Sequence, residues 1–187
     1  MKPICKILLL LLLAAAGCSR PTGEAAMSEL VRSETGGFSF RPLAGYTVME
    51  KAGTAAMFLP NGDQQSGPGL WMAVVPLPQA VSVEQAAAVL VKSTPAYAFS
   101  PPQPVTLDTR QGLSMEFTST YHALDGILLP QPGAAEGELL QGRMMVVLLN
   151  PTRRFTCVML APAAKWQSLG PQLEAAAASL KFFEPAP

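Results

Sequence analysis

Histidine is nearly absent from this chain, and cysteine is scarce. One histidine, His122, and three cysteines, Cys5, Cys18 and Cys157, are all that 187 residues supply. A zinc site draws three or four ligands at short spacings, and no such spacing exists here. No Asp-x-Asp-x-Asp-Gly run offers a calcium loop. No resident metal or cofactor is therefore expected. The Gly-x-Ser-x-Gly elbow of a serine hydrolase is missing, so His122 beside Asp125 has no nucleophile to serve. The glycines at 36–37 and at 67 and 69 lack the Lys-Ser/Thr and helix of a phosphate loop. Charge is low as well, 14% of residues, with 13 basic and 13 acidic side chains. No basic run is present to neutralise a phosphate backbone or a lipid headgroup patch, which excludes nucleic acid as an expected partner. No catalytic residue is expected, and the chain reads as a non-enzyme.

What is abundant lies first at the N-terminus. Lys2 and Lys6 precede an unbroken apolar run from Ile7 to Leu13, followed by Ala14, Ala15, Ala16 and Gly17. Positive end, apolar centre and small residues, in that order, form an export signal over residues 1–17. The apolar stretch falls short of the roughly 20 residues that cross a bilayer. Ala15-Ala16-Gly17-Cys18 resembles the bacterial lipobox, which implies cleavage before Cys18 and lipid on its sulfur. Ser19, rather than aspartate, follows the cysteine, which by that resemblance implies the outer membrane, facing the periplasm. Each buried CH₂ of an acyl chain is worth about 0.8 kcal/mol, and two chains suffice for a stable anchor. The expected membrane contact is thus the lipid on Cys18. Loss of the signal removes two lysines and leaves a slight acidic excess.

Residues 18–37 read as the lipidated cysteine and a flexible tether, rich in Pro, Gly, Ser and Glu, with a brief helical turn over Ser28 to Arg32. Residues 38–183 read as one domain. Phe38 to Arg41, Tyr46 to Met49 and Ala55 to Leu59 are short strand patterns, and residues 61–69 are a polar turn. Leu70 to Leu77 is continuously apolar, as in a strand covered on both faces. Ser82 with Gln85 three residues on forms a capping box, and Val83, Ala87, Leu90 and Val91 make one apolar helical stripe that ends at Thr94-Pro95. Val105 to Leu107 starts a further strand. Leu113, Met115 and Phe117 alternate with polar residues, Met144 to Leu149 is a second two-faced strand, and Phe155 to Leu160 returns from the turn at Asn150 to Arg153. Trp166, Leu169, Leu173, Ala176 and Leu180 place a second helix on the sheet, with Lys181 suiting the helix dipole.

Phe38-Ser39-Phe40-Arg41-Pro42 followed by Gly45-Tyr46 resembles the opening hairpin of PsbP-like and DcrB-like domains. The end is similar too: the apolar hairpin from Gly142 to Leu160, then Ala161-Pro162, Trp166, and a helix closing on Ala178-Ser179-Leu180-Lys181-Phe182. The resemblance implies an α+β fold, a three-layer α/β/α sandwich with a central, mainly antiparallel sheet and two main helices. It implies no reaction, because that family includes accessory subunits and binding proteins.

Few residues are left for function. Cys157 alternates with Phe155 and Met159 and reads as a buried hydrophobe. Met49, Met57, Met72, Met115, Met144, Met145 and Met159 all fall in strand patterns, where methionine fills gaps rather than binding Cu(I). Glu136 and Glu138 read as solvated charges. The connection from Tyr121 to Gln141 carries Ile127, Leu128 and Leu129, which either extend a long hairpin on the sheet or form an exposed apolar contact for a partner. Those three residues are the candidate partner contact. The expected role is a membrane-tethered, non-catalytic accessory or protein-interaction module of the cell envelope, meeting an envelope protein. The alternative is a periplasmic small-ligand binder using the gap between a helix and the sheet.

Overall fold

The computed structural model describes residues 26–58, 69–120 and 137–185. Cys18, His122, and the candidate contact Ile127, Leu128 and Leu129 lie outside the described residues.

The described chain opens with two short strands, β1 (Val31–Ser33) and β2 (Phe38–Phe40), paired antiparallel with Val31 opposite Phe40. β3 (Thr47–Lys51) and β4 (Thr54–Phe58) form a tight hairpin. Its two turn residues, Ala52 and Gly53, both have positive φ (50° and 82°), which matches the twist of the strands they join. Then come β5 (Gly69–Pro76), α1 (Val83–Ser93), β6 (Tyr97–Phe99), β7 (Gln103–Leu107) and β8 (Arg110–Thr120). The last elements are β9 (Leu139–Asn150), β10 (Arg153–Pro162), α2 (Ala163–Ala178) and β11 (Lys181–Phe182).

The large sheet has eight strands in the order β3-β4-β5-β10-β9-β8-β6, with β7 also on β8, and every pairing is antiparallel. The central strands carry apolar residues on both sides because both sides are covered. On β9, Met145 and Val147 enter the core beneath α2, while Met144 and Val146 enter the core beneath α1. β10 divides likewise, with Phe155, Cys157 and Met159 on the first side and Val158 and Leu160 on the second. The result is the expected three-layer α+β sandwich, with α1 over β8 and β9 and α2 over β10 and β9.

Four local expectations are corrected. Residues 26–37 do not all behave as tether: β1 joins β2, and Met27 bridges Leu43. Val31 and Met27 pack on the α2-side core, so two apolar residues among small polar ones were enough to dock this segment. Ser28 to Arg32 accordingly contains no helical turn, and Val31 and Arg32 are strand. Lys181 belongs to β11, not to the end of α2, and its ammonium lies 2.9 Å from Asp108. The α2 stripe is buried only in its second half. Leu173, Ala176 and Leu180 are buried, whereas Trp166 and Leu169 are half-buried. Pro171 sits inside this helix, which also lacks a side-chain cap at its start, so tertiary packing rather than local signals holds it.

β11 pairs with β2, placing Lys181 opposite Ser39 and Phe182 opposite Phe38, and completes a second sheet of order β1-β2-β11 beside α2. Gly37 makes this possible. Its φ is +70°, and a Cβ there would stand 2.6 Å from the Phe183 carbonyl oxygen.

Candidate functional site

α1 is set by local chemistry. The Ser82 hydroxyl accepts from the Gln85 amide N–H (3.3 Å) while the Gln85 side chain accepts from the Ser82 amide (2.9 Å), the reciprocal cap expected from the sequence. Thr94 closes the helix, its hydroxyl donating to the Leu90 carbonyl at 2.8 Å. Ala86 and Ala87 are buried against β8 and β9, and their small side chains bring the helix close to the sheet.

The sheet edge beside α1 is broken. β6 pairs Phe99 with Phe117 of β8, and β7 resumes with Gln103 opposite Ser114. Three residues, Ser100, Pro101 and Pro102, therefore face two on β8, which is the geometry of a bulge. Ser100 bridges the break. Its amide donates to the Glu116 carbonyl (2.8 Å), and its hydroxyl accepts from the Glu116 amide (3.0 Å). Pro101, Pro102 and Pro104 are exposed along this edge and have no N–H to offer another strand. Tyr97 and Phe99 stack on Phe117, with ring centroids 5.2 and 5.6 Å away, and fix the inner side of the break.

Between the helix and this edge lies an open groove of about 800 Å³. Ala87, Ala88 and Val91 form its helix wall, Leu113 and Met115 its floor, and Phe99 with the three prolines its outer wall. The volume is within the range, about 300–1,000 Å³, of ligand sites generally. Among the described residues only Glu84, Lys92 and Ser100 bring polar side chains to it. Glu84 is engaged with Ser82, and that hydrogen bond lowers its carboxyl below the ordinary range.

The opposite face of the same edge holds a hollow of about 500 Å³ that includes Ser114, Glu116 and Arg143. Its guanidinium is already spent. Arg143 Nη2 lies 2.9 Å from Glu116 and Nη1 lies 2.8 Å from Glu174, so one side chain ties β8 to α2 through β9. Cys157 is buried, and burial pushes its thiol up to about 12, so it is held as the neutral thiol. Met57, Met72, Met115, Met144, Met145 and Met159 are core residues, whereas Met49 on the edge strand β3 is largely exposed. Among the described residues no three His, Cys, Asp or Glu side chains gather as a metal site. Among them, too, no helix is long and apolar enough to cross a membrane.

No family model and no curated protein matches the sequence. Solved structures do match. Cyanobacterial PsbP (CyanoP) from Synechocystis sp. PCC 6803 has a TM-score of 0.55 at 10% identity, over 90% of this chain and 99% of that one. The fold is PsbP-like. LpqN, described as involved in cell envelope biogenesis of Mycobacterium tuberculosis, has a TM-score of 0.55 at 9% identity, over 78% of this chain and 83% of that one. A protein of Bacteroides thetaiotaomicron VPI-5482 has a TM-score of 0.52 at 13% identity; 83% of this chain covers 48% of it, so this chain spans about half its length.

The groove of this PsbP-like domain occupies the place anticipated for a ligand, between a helix and the sheet. Its residues were not anticipated, because they depend on the bulge. The one local signal was the cluster Pro101-Pro102-Gln103-Pro104, which fits a sheet edge or a bulge rather than a central strand.

Proposed function

We propose that this chain is a non-catalytic accessory module of the bacterial cell envelope, held to the outer membrane by lipid on Cys18, that works by binding. The observation that carries the reading is the groove between α1 and the proline edge. It is concave and apolar, and its few polar side chains form no acid–base or nucleophile pair. Among the forms of binding, a small ligand in this groove is favoured by the volume and by the prolines, which blunt the edge against strand addition. The described role of LpqN in cell envelope biogenesis supports an envelope setting for a domain of this shape.

The anchor and the binding surface are tested separately. Cys18→Ser is expected to abolish lipid labelling and, in a form from which residues 1–17 are also removed after export, to move the protein from the membrane pellet to the soluble fraction, since the lipid on Cys18 is the membrane attachment this reading gives the mature chain. Retention of that form in the pellet after high-salt washing removes the anchor from the proposal. For the surface, hydrogen exchange of the purified protein with envelope extract is expected to slow at α1 and β6. Unchanged exchange across the groove rejects the binding role.

A further inference from the structure

From the groove chemistry we infer that its occupant is the hydrocarbon chain of a single-chain carboxylate amphiphile, a free long-chain fatty acid, with its carboxylate at Lys92. The inference rests on the reading of the domain as a binding module and names the ligand class.

The lining decides between a hydrocarbon and a peptide. An extended peptide brings an N–H and a C=O with every residue, and each must find a partner when it leaves water. Pro101, Pro102 and Pro104 have no N–H. Ser100 donates its amide to the Glu116 carbonyl, and its hydroxyl accepts from the Glu116 amide and donates to the Pro101 carbonyl. Glu84 is committed to the helix cap. A hydrocarbon chain needs none of these groups. It needs apolar walls, which Ala87, Ala88, Val91, Leu113 and Met115 provide.

The charges then orient it. Glu84 lies at the start of α1 and Lys92 near its end, about 12 Å apart along the axis at 1.5 Å per residue. Lys92 is exposed and has no ion-pair partner among the described residues, the only ionisable group of the lining left uncommitted. An anionic head is drawn to Lys92 and kept away from the Glu84 end. One compact ammonium matches a singly charged carboxylate, whereas a phosphate monoester is usually met by several cations or an arginine fork.

The test uses residues 19–187, the expected mature chain without the lipidated cysteine, so that no detergent is needed, titrated with the fluorescent fatty acid cis-parinaric acid and with the corresponding neutral alcohol. Both are expected to bind, the acid more tightly. Ala88→Trp, at an exposed groove position where folding should persist and a thermal melt verifies it, is expected to abolish binding of both. Lys92→Glu is expected to weaken the acid about fivefold, as for an exposed charge pair, and to leave the alcohol unchanged. Equal affinity for acid and alcohol, with no effect of Lys92→Glu, overturns the inference. If neither probe binds, the inference is also overturned, and hydrogen exchange with envelope extract separates the two failures. Protection of α1 and β6 that Ala88→Trp abolishes and protease treatment of the extract removes assigns the groove to a peptide and leaves the binding module standing. No protection at all removes both.

Discussion

Phe182 meets Phe155 edge to face, with ring centroids 5.0 Å apart and planes at 83°. Phe155 in turn meets Phe38 at 5.3 Å. A ring from the last strand, one from the central strand and one from the second strand thus form a continuous stack that closes the small sheet over the large one. Phe182 is half-buried and lies on a two-residue strand, so this contact does much of the work of holding the C-terminus. Phe182→Ala should cost about 2 kcal/mol or more, through lost burial and a lost aromatic pair, read as a fall in thermal midpoint. A change below 1 °C would show that β11 adds nothing to the fold.

Asp108 fixes the same strand from the other side. It accepts from Lys181 Nζ at 2.9 Å and from the Phe182 amide at 3.2 Å, and the Lys181 bond first, then the amide, holds its carboxyl below the usual range. A lowered folded pKa means stability that is present above the unfolded value and lost as pH falls through the folded one. The midpoint difference between the wild type and Asp108→Asn should therefore be full at pH 7 and shrink once pH drops below about 4. Asparagine also tolerates the positive φ of 54° at this turn, so the comparison isolates the charge. A difference independent of pH from 3 to 7 would contradict the assignment.

Arg154 and Thr156 point to the α1 side of β10, and both are buried. Among the described residues the Arg154 Nε and the Thr156 hydroxyl have no hydrogen-bond partner. Burial lowers the Arg154 pKa, the direction expected for a cation removed from water. Replacing a buried charged group by a well-packed apolar side chain of similar length is often neutral or stabilising. Arg154→Met should hold or raise the thermal midpoint. A fall of more than about 4 °C, roughly 1 kcal/mol for a domain of this size, would mean that the guanidinium finds a partner in solution.

Ile127, Leu128 and Leu129 remain proposed as a partner contact. Changing all three to serine should leave the thermal midpoint within about 2 °C of wild type, whereas loss of core burial would cost several kcal/mol. A large drop assigns them to the packed sheet instead and withdraws the contact.

Much of the architecture follows from local pattern. Ser82 and Gln85, three residues apart, carry the whole start of α1 because a capping box needs only those two side chains and their own backbone. Leu70 to Leu77 and Met144 to Leu149 announce central strands, since a strand apolar on both sides is stable only where both sides are covered. Cys157 likewise reads as buried from its alternation with Phe155 and Met159, and it is. The lipobox-like run at Cys18 is a linear signal and needs no fold to be seen.

Other features exist only in three dimensions. The pairing of Lys181 with Ser39 joins residues far apart in sequence, and two residues of strand carry no period to recognise. The same distance hides the salt link from Lys181 to Asp108, so local position alone assigned Lys181 to the helix end. The groove needed the extra residue at Ser100 to Pro102, which breaks the edge beside Leu113 and Met115, and it needed α1 to settle on that side. Its walls come from a helix, a central strand and an edge. A surface assembled from three separate segments leaves no contiguous signal, and only their packing brings Lys92 to the lining of an apolar groove.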